Sequence, residues 1–328
     1  MTYPRTFVML LAVVLTATPL VGLGNSVASA GELQSGDSRV RLFSVSPPNS
    51  DYWTAARMRA AKPASILSRH GHDETPSVGQ PGGGAGPMAP PIVKAARPWD
   101  RGGIVTKTVG KLFFSVDAFD ASCSASVVNS TNRSTVVTAA HCVNPEGDLA
   151  KDWIFVPGYN DGAAPYGKWS AKYLAVSPGW LDRPGGNLNE DVGLAVMNPL
   201  NGKRLADVVG SNAIAFNAPL ERNVYSFGYP AERRFDGESL HFCQGVSRPD
   251  TFEAQSTDLG LDCDMNGGSS GGPFLAALSA DKVAVISVNS FGYDALPDVM
   301  FGPRFDDSIK AVYDVAQATS LENSPPRP

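Results

Sequence analysis

The spacing of apolar residues changes along the chain near residue 104. Beyond that point, short runs rich in Val, Phe, Tyr and Ser are separated by Gly, Pro, Asn and Asp, as in "KLFFSVD", "STVVTAAHCV", "NVYSFGYP" and "KVAVISVNSFGY". Runs of this length between turn residues are typical of strands in β sandwiches and barrels. Residues 306–320 instead carry apolar side chains at helical spacing behind a capping Asp or Ser. The pattern predicts an all-β protein with one C-terminal helix and a loose tail at 321–328.

Residues 1–30 have the composition of an export signal. Arg5 precedes the apolar run "FVMLLAVVLTATPLVGL", and "ASA" at 28–30 supplies the small residues of a signal-peptidase site. The apolar run is short for a bilayer span, and no later run in the sequence is long and apolar enough to be one. We therefore expect a secreted, extracellular protein that has no membrane contact once the signal peptide is removed.

Residues 31–103 look poorly suited to a hydrophobic core. They include the low-complexity stretch "SVGQPGGGAGPMAPP" and one helix-like piece, "DYWTAARMRAAKPASILSRH". They carry nine Lys/Arg and six Asp/Glu, whereas residues 104–328 carry 17 and 26. We interpret the segment as a propeptide or processed leader, with the mature chain beginning between Arg97 and Ile104; a disordered spacer is the alternative. A basic leader could dock on the acidic body, and that acidity argues against nucleic-acid binding.

Export also changes the interpretation of the four cysteines. In an oxidising compartment Cys123, Cys142, Cys243 and Cys263 are disulfide candidates with three possible pairings. A zinc site would require CxxC-type spacing, which the sequence lacks. Cys123 begins a run that can pair with the run before Cys142 through the turn "NSTNRS", which favours a bond between these two. We expect no metal and no cofactor.

Two segments carry groups suited to acid–base catalysis. His141 follows the β-branched run of "VVTAAHCV", where a strand end gives a general base a rigid position. Asp191 opens the apolar run of "DVGLAVM", and a carboxylate there needs a hydrogen-bonding partner such as an imidazole. Each residue considered alone is more simply explained as a surface histidine or a turn aspartate. Glu190 competes with Asp191, but only Asp191 adjoins the apolar run directly.

The stretch "CDMNGGSSGGP" is either a flexible linker or a turn that presents a reactive hydroxyl. Glycines allow a tight turn in which a substrate approaches the backbone closely. The amides of Gly268 and Ser270 could then converge on a developing oxyanion. Ser270 has Gly268 two positions before it and Gly271 and Gly272 after it, whereas Ser269 lacks a following glycine. We therefore predict that Ser270 is the nucleophile.

His141, Asp191 and Ser270, in this order within "TAAHC", "DVGLAV" and "GSSGGP", resemble the catalytic segments of the chymotrypsin-like serine proteases. The resemblance extends from about residue 104 to residue 313. Within that superfamily the chain is most similar to secreted bacterial enzymes of the glutamyl-endopeptidase and streptogrisin type, especially an actinobacterial trypsin-like group.

This resemblance implies a fold and a reaction. The fold is two perpendicular six-stranded antiparallel barrels, here residues 104–205 and 206–320, with the site in the cleft between them. The reaction is hydrolysis of peptide bonds through an acyl-enzyme, in which Ser270 attacks, His141 transfers the proton and Asp191 orients the imidazole.

Departures from the family pattern bear on activation and specificity. Ser269 stands where animal relatives carry an aspartate that pairs with a newly freed N-terminus, so a leader would act by blocking the cleft or by assisting folding. Asp264 lies six residues before Ser270, where trypsin-type enzymes keep the acid that selects Lys or Arg, and it suggests a basic or broad P1 preference. Asn289 replaces a histidine that is usual in glutamyl endopeptidases, which weakens the case for Glu specificity.

The resemblance also implies a substrate-binding edge and a second disulfide. Ser290, Phe291 and Gly292 would form the strand edge that binds the substrate backbone. Cys243 and Cys263 would pair and brace the loop that enters the nucleophile turn.

We expect a secreted serine endopeptidase, made as a precursor and acting as a monomer on protein or peptide substrates. Two alternatives remain open. One is a Glu-specific or esterase-like enzyme that uses the same three residues, and the other is a non-catalytic protease fold that binds another protein.

Overall fold

The structure is a computed structural model that describes residues 31–322 apart from 34–36, 65–66, 70–91, 118, 183–185 and 280–281. The predicted signal peptide, the low-complexity linker and the last six residues of the predicted tail lie outside the described residues. None of the helices that the structure describes is long and apolar enough to cross a bilayer.

The described part of the predicted leader contains short elements: β1 (Gly31–Leu33), β2 (Arg41–Ser44), α1 (Ala55–Ala60), β3 (Lys62–Pro63) and β4 (Leu67–Arg69). The chain continues with β5 (Val93–Pro98), α2 (Val105–Thr108), β6 (Val109–Val116), β7 (Phe119–Val127), β8 (Thr135–Thr138), β9 (Lys151–Pro157), β10 (Trp169–Val176), α3 (Pro178–Leu181) and β11 (Gly193–Met197). Short 3-10 turns at Ala140–Cys142, Pro145–Gly147 and Leu188–Glu190 interrupt this series.

The C-terminal part of the chain begins with α4 (Leu205–Val209), β12 (Ala213–Ile214), β13 (Asn223–Gly228), β14 (His241–Val246), β15 (Arg248–Pro249) and β16 (Leu259–Asp262). It ends with β17 (Pro273–Ser279), β18 (Lys282–Val288), β19 (Phe291–Tyr293), β20 (Leu296–Gly302) and α5 (Asp307–Ala318).

A closed barrel forms the first half of the fold. Its six antiparallel strands follow the order β9-β6-β7-β8-β11-β10, and the ring closes where β10 pairs with β9, Trp169 opposite Phe155. Leu112, Val136 and Leu194 are among the side chains buried in this half. Branched and aromatic residues favour these strands because they pack well on a pleated surface. The all-β prediction is confirmed.

Two antiparallel sheets face each other in the second half. One has the strand order β12-β18-β17-β13-β14-β5, and the other runs β15-β16-β20-β19-β4, with parallel pairing only at the outer strands β12 and β4. Their shared apolar cluster includes Val224, Phe274, Ile286 and Met300. The Cys243–Cys263 disulfide joins β14 of the first sheet to the residue after β16 of the second.

Residues 93–99 belong to this second half, although the sequence analysis assigned all of residues 31–103 to the leader. β5 pairs antiparallel with β14, Arg97 opposite Phe242. The Trp99 ring packs edge-on against Phe227 and Phe242, with ring centroids 5.1 and 5.0 Å apart. A three-residue aromatic contact of this kind buries a large apolar area. Residues 93–99 are therefore packed into the second half, and the start of the mature chain between Arg97 and Ile104 stays a prediction.

The predicted C-terminal helix is α5. The Asp306 carboxylate caps its first turn and accepts the backbone N–H of Ile309. Ile309 and Val312 face inward and are buried. Asn132 of the first barrel donates to the carbonyl of Ala316 at 2.7 Å. The helix is thus fastened to the first barrel at its C-terminal end.

The structure contains the two expected disulfides. Cys123 is bonded to Cys142 and Cys243 to Cys263, with sequence separations of 19 and 20 residues. Among the described residues no cysteine is free. The first bond ties β7 to the turn that carries His141, and the second ties the two sheets of the second half together.

Replacing Cys243 and Cys263 together by Ala is expected to lower the free energy of unfolding by roughly 3 kcal/mol, since opening a loop of this size returns conformational entropy to the unfolded chain. The matching double replacement of Cys123 and Cys142 opens a loop of nearly the same length, so a similar loss is expected. Urea unfolding of the full chain measures both losses. Wild-type stability in either variant would contradict this account of the disulfides.

Candidate active site

His141 lies in the 3-10 turn that follows β8. The turn begins directly after the buried strand Thr135–Thr138, so the imidazole is carried at the end of a rigid element. Cys142 holds the turn to β7 through its disulfide, and the Trp153 indole N–H donates to the Cys142 carbonyl at 3.0 Å. Only 6% of His141 is exposed. These contacts give the ring the fixed position that a general base needs.

Asp191 is fully buried beside His141. Its Oδ1 accepts the backbone N–H of His141 at 2.9 Å, and its Oδ2 lies 2.7 Å from His141 Nδ1. Ser290 donates its hydroxyl to the same Oδ2 at 2.5 Å. A buried carboxylate is stable only when such donors replace its lost hydration. Asp191, rather than Glu190, is therefore the partner of the imidazole.

The two serines of the nucleophile turn differ in their hydroxyl contacts. Ser269 Oγ donates to the carbonyl of Asn266 at 2.6 Å, so its hydroxyl is engaged within the turn. Ser270 Oγ is buried and has no hydrogen-bond partner among the described residues. The Ser270 carbonyl accepts the backbone N–H of Ser124 at 2.7 Å and lies 3.9 Å from Cys142 Sγ, which places the turn against the elements that carry His141.

His141 Nε2 is also buried without a hydrogen-bond partner in the described part of the chain. Such buried polar atoms are uncommon in folded proteins and require an explanation. Catalytic hydrogen bonds are often long in the absence of substrate and shorten when it binds. His141 Nε2 and Ser270 Oγ thus lie on adjoining turns, and neither has a hydrogen-bond partner among the described residues.

Glycines in the turn permit its close approach to both halves. Gly271 has a φ of +81°, and a Cβ there would lie 2.0 Å from Thr138 Oγ1 and 2.4 Å from the Ser124 carbonyl oxygen. Gly268 has a φ of +91°. A residue with a side chain would be strained at these φ values. The stretch is a packed turn and not a linker.

The amide of Gly268 is held in place from the first barrel. Ser124 Oγ donates to the Gly268 carbonyl at 2.9 Å and accepts the backbone N–H of Tyr229 at 2.9 Å. Burial raises the pKa of Tyr229, whose hydroxyl donates to the carbonyl of Tyr159 at 3.0 Å. These hydrogen bonds hold the turn against the first barrel.

Asn289 braces the same turn from the second half. Its Nδ2 donates to the carbonyls of Ser269 and Phe227 at 3.0 and 2.9 Å, and its Oδ1 accepts the Ser226 hydroxyl at 2.6 Å. Its backbone carbonyl also accepts the N–H of Gly271 at 2.7 Å. The amide is therefore fully engaged as a structural brace.

Cys123, His141 and Cys142 have their potential ligand atoms within 4.8 Å of one another. Both sulfurs belong to one disulfide, and only a thiolate is a good metal ligand. In its oxidised form this group is therefore unsuited to a metal ion.

Comparisons with known proteins agree with this geometry. A sequence profile of the trypsin-like peptidase domain matches residues 123–285. Among solved structures, the protease Anisep from Arthrobacter nicotinovorans is 44% identical, with 65% of this chain and 96% of that one covered and a TM-score of 0.61. The thermostable serine protease AL20 from an extremophilic microorganism is 38% identical, with 66% and 100% covered and a TM-score of 0.61.

This chain belongs to the trypsin-like serine proteases. The structure of a Glu endopeptidase, at 17% identity, a TM-score of 0.55 and coverage of 68% and 97%, shares the fold. A search among curated proteins found no significant match. The predicted resemblance to bacterial members of this family is confirmed.

Asp264 of this protease is hydrogen-bonded to β5 and to Arg234. Its Oδ1 accepts the backbone N–H of Ala96 at 2.7 Å, and its Oδ2 accepts Arg234 Nη2 at 2.7 Å. It lines a cavity of about 340 Å³ together with Lys94, Ala95, Asp262, Asp298 and Val299. Both carboxylate oxygens thus already accept a hydrogen bond within the protein, and the role of Asp264 in binding a Lys or Arg side chain stays a prediction.

Ser290, Ser124 and Asn289 act as hydrogen-bonding supports, which was not predicted from the sequence. The Ser290 hydroxyl bonds Asp191, and the place of its backbone in a substrate-binding edge stays a prediction. Ser124 lies between Ser122 and Ser126 in "SCSAS", and serines at alternate positions share one face of a strand. That alternation is a signal that could have shown a polar strand face within the barrel.

Replacing Gly271 by Ala is expected to destabilise the protein for two reasons: its positive φ and the lack of space for a Cβ. The matched control is Gly202→Ala, because Gly202 has a φ of +73° and open space around its Cα. The control should lose only the roughly 1–2 kcal/mol of the left-handed conformation. Gly271→Ala should lose at least about 2 kcal/mol more, as overpacking does. Urea unfolding measures both, and equal losses would contradict the packed turn.

Proposed function

We propose that this protease is a secreted serine endopeptidase, made as a precursor, whose catalytic residues are His141, Asp191 and Ser270. The observation that carries the proposal is the buried Asp191–His141 pair, 2.7 Å apart, next to a glycine turn with an unpartnered Ser270 hydroxyl. Two disulfides support export, because such bonds persist in oxidising compartments.

The reaction begins with Ser270 Oγ attacking the carbonyl carbon of a peptide bond while His141 Nε2 takes the hydroxyl proton. Asp191 accepts the Nδ1–H hydrogen bond and stabilises the imidazolium. The amides of Gly268 and Ser270 stabilise the oxyanion. His141 then gives the proton to the leaving amine, and water, deprotonated by the same imidazole, hydrolyses the acyl-enzyme.

Ser290 is a positioning residue in this proposal. Its hydroxyl supplies the third hydrogen bond to Asp191 and so holds the carboxylate in its orientation toward Nδ1. The backbone edge that begins at Phe291 and Gly292 would hold an extended substrate by strand addition.

Replacing Ser270 by Ala, in protein freed of the predicted leader, should abolish fluorophosphonate labelling and lower peptide hydrolysis by a factor on the order of 10⁴ to 10⁶. Ser269→Ala is the matched control: it loses one hydrogen bond to Asn266, so labelling should stay within about tenfold of wild type. Mass spectrometry of the labelled peptide measures both. Labelling that persists in Ser270→Ala would exclude Ser270 as the nucleophile.

Asp264→Asn should leave the P1 preference of the leader-free protein unchanged, because the Asp264 carboxylate is already engaged by the Ala96 amide and the Arg234 guanidinium. Cleavage of a peptide library that varies the P1 residue measures the preference. A Lys or Arg preference that disappears in the variant would restore Asp264 as a specificity residue.

A further inference from the structure

The leader reaches the candidate site through Ala64. β3 runs parallel to β7, Pro63 opposite Ser122, and the N–H of Ala64 donates to the Ser122 carbonyl at 2.8 Å. The Ala64 carbonyl in turn accepts the backbone N–H of Gly268 at 2.9 Å. The amide of Gly268 is one of the two groups assigned to the oxyanion. A carbonyl of the leader therefore occupies it.

The leader also pairs with the edge assigned to the substrate backbone. β4 adds to β19 as a parallel strand, with Leu67 opposite Phe291 and Ser68 opposite Gly292. An extended peptide held by an exposed strand edge is bound mainly through its backbone, whatever its side chains. Strand addition at one edge excludes a second peptide from the same edge.

Ala64 and β4 therefore lie on either side of the nucleophile turn, one against the first barrel and the other against the second half. With the leader in place, Ser270 is fully buried and His141 is 6% exposed. A substrate carbonyl cannot reach Ser270 Oγ unless this segment moves.

Contacts outside the cleft hold the leader on the first barrel. Trp53 is 2% exposed, its indole N–H donates to the carbonyl of Asp152 at 2.6 Å, and its ring lies 5.5 Å from that of Phe113. The Arg57 guanidinium donates to the Asp120 carboxylate at 2.5 and 3.1 Å. The interaction with Asp120 raises the pKa of Arg57, so the pair stays charged.

A second anchor lies further along the leader. β2 pairs antiparallel with β10, Phe43 opposite Leu174, and extends the sheet of the first barrel. Val40 and Leu42 of this region are buried. The leader is therefore anchored twice on the first barrel, by β2 and by the region of Trp53. Its strands β3 and β4 then follow at the cleft.

Residues 70–91 connect the docked segment to β5, which belongs to the second half. A cut in this connection would leave β5 and Trp99 in the body and all the contacts of residues 37–69 intact. Cleavage of the chain and exposure of the site are therefore separate events.

We propose that the leader is a built-in inhibitor that occupies the substrate cleft through Ala64 and β4, and that this surface binds a free peptide of residues 37–69 after the linker is cut. The proposal rests on the proposed function, since it names what blocks that site. The Ala64 carbonyl is held at the oxyanion amide while the chain on both sides is tied to the body, so the segment is bound and not hydrolysed. Activation requires the segment to leave or to be destroyed.

The test uses the full chain with a site-specific protease sequence in place of residues 80–86, and its readout is the rate of fluorophosphonate labelling of Ser270. A tethered segment acts at an effective concentration of about 1 mM, so cutting and diluting to about 1 µM should raise the labelling rate by up to about 1000-fold. Added synthetic peptide 37–69 should then suppress labelling in proportion to its occupancy.

A variant of the uncut chain tests the anchor. Trp53→Ala removes a large buried side chain and should raise the labelling rate of the uncut protein by about 100-fold, the ratio expected from loss of such a contact. Arg39→Ala is the control in the same segment, because its guanidinium bonds Asp37 within the leader. The control should label at the wild-type rate.

Equal labelling of the uncut, cut and Trp53→Ala chains would overturn the inhibitor while leaving the serine protease intact. Hydrolysis of the Ala64–Ser65 bond during incubation, seen by intact mass, would also overturn it, since the segment would then be a substrate. A complete lack of labelling in every form would instead overturn the proposed function, and the inhibitor with it.

Discussion

The structure depends on the hydrogen bonds that hold one glycine-rich turn between the two halves of the molecule. The carbonyl of Ser270 accepts from Ser124 of the first barrel, while the N–H of Gly271 donates to Asn289 of the second half. Both bonds require backbone to approach backbone, and at Gly271 there is no space for a Cβ. The turn reaches its conformation only when both halves are folded. This places the turn of Ser270 against the element that carries His141, although the two residues are 129 positions apart.

The same seam between the halves is where the leader lies. Ser122 on one side and Gly268 on the other offer a backbone acceptor and a backbone donor, and Ala64 uses both. Substrate and inhibitor would compete for these groups because both are extended peptides recognised through their backbone. The contacts inside the cleft need to contribute little binding free energy, because Trp53 and β2 hold the leader elsewhere on the barrel. A substrate lacks those anchors and gains access when the segment is no longer tethered.

Much of the protease body could be predicted from local sequence. The strand runs and the spacing around His141, Asp191 and Ser270 indicate an all-β fold, and the structure brings Asp191 to His141 and the turn of Ser270 beside them. Ser270 could be preferred to Ser269 because glycines flank it, and the contact of Ser269 Oγ with Asn266 agrees with that choice.

The strand pairing of β3, β4 and β5 and the surroundings of Asp264 could not be predicted in the same way. β3, β4 and β5 are each two to six residues long, and their pairing partners are distant in the chain. Strands this short show no alternation of apolar and polar residues that could be recognised in the sequence. Their register is set by the sheet with which they pair. Asp264 has the spacing of a specificity acid, but Arg234 lies thirty residues away in sequence and its ion pair with Asp264 forms only in the fold.

The most direct measurement is a crystal structure of the cut protein after reaction with a peptidyl fluorophosphonate. The phosphorus should be bonded to Ser270 Oγ, with a phosphoryl oxygen within hydrogen-bonding distance of the Gly268 amide and the Ala64 carbonyl displaced from it. Phosphorus bonded to any other residue, or Ala64 still bonded to Gly268 beside the adduct, would contradict a single cleft shared by the nucleophile and its inhibitor.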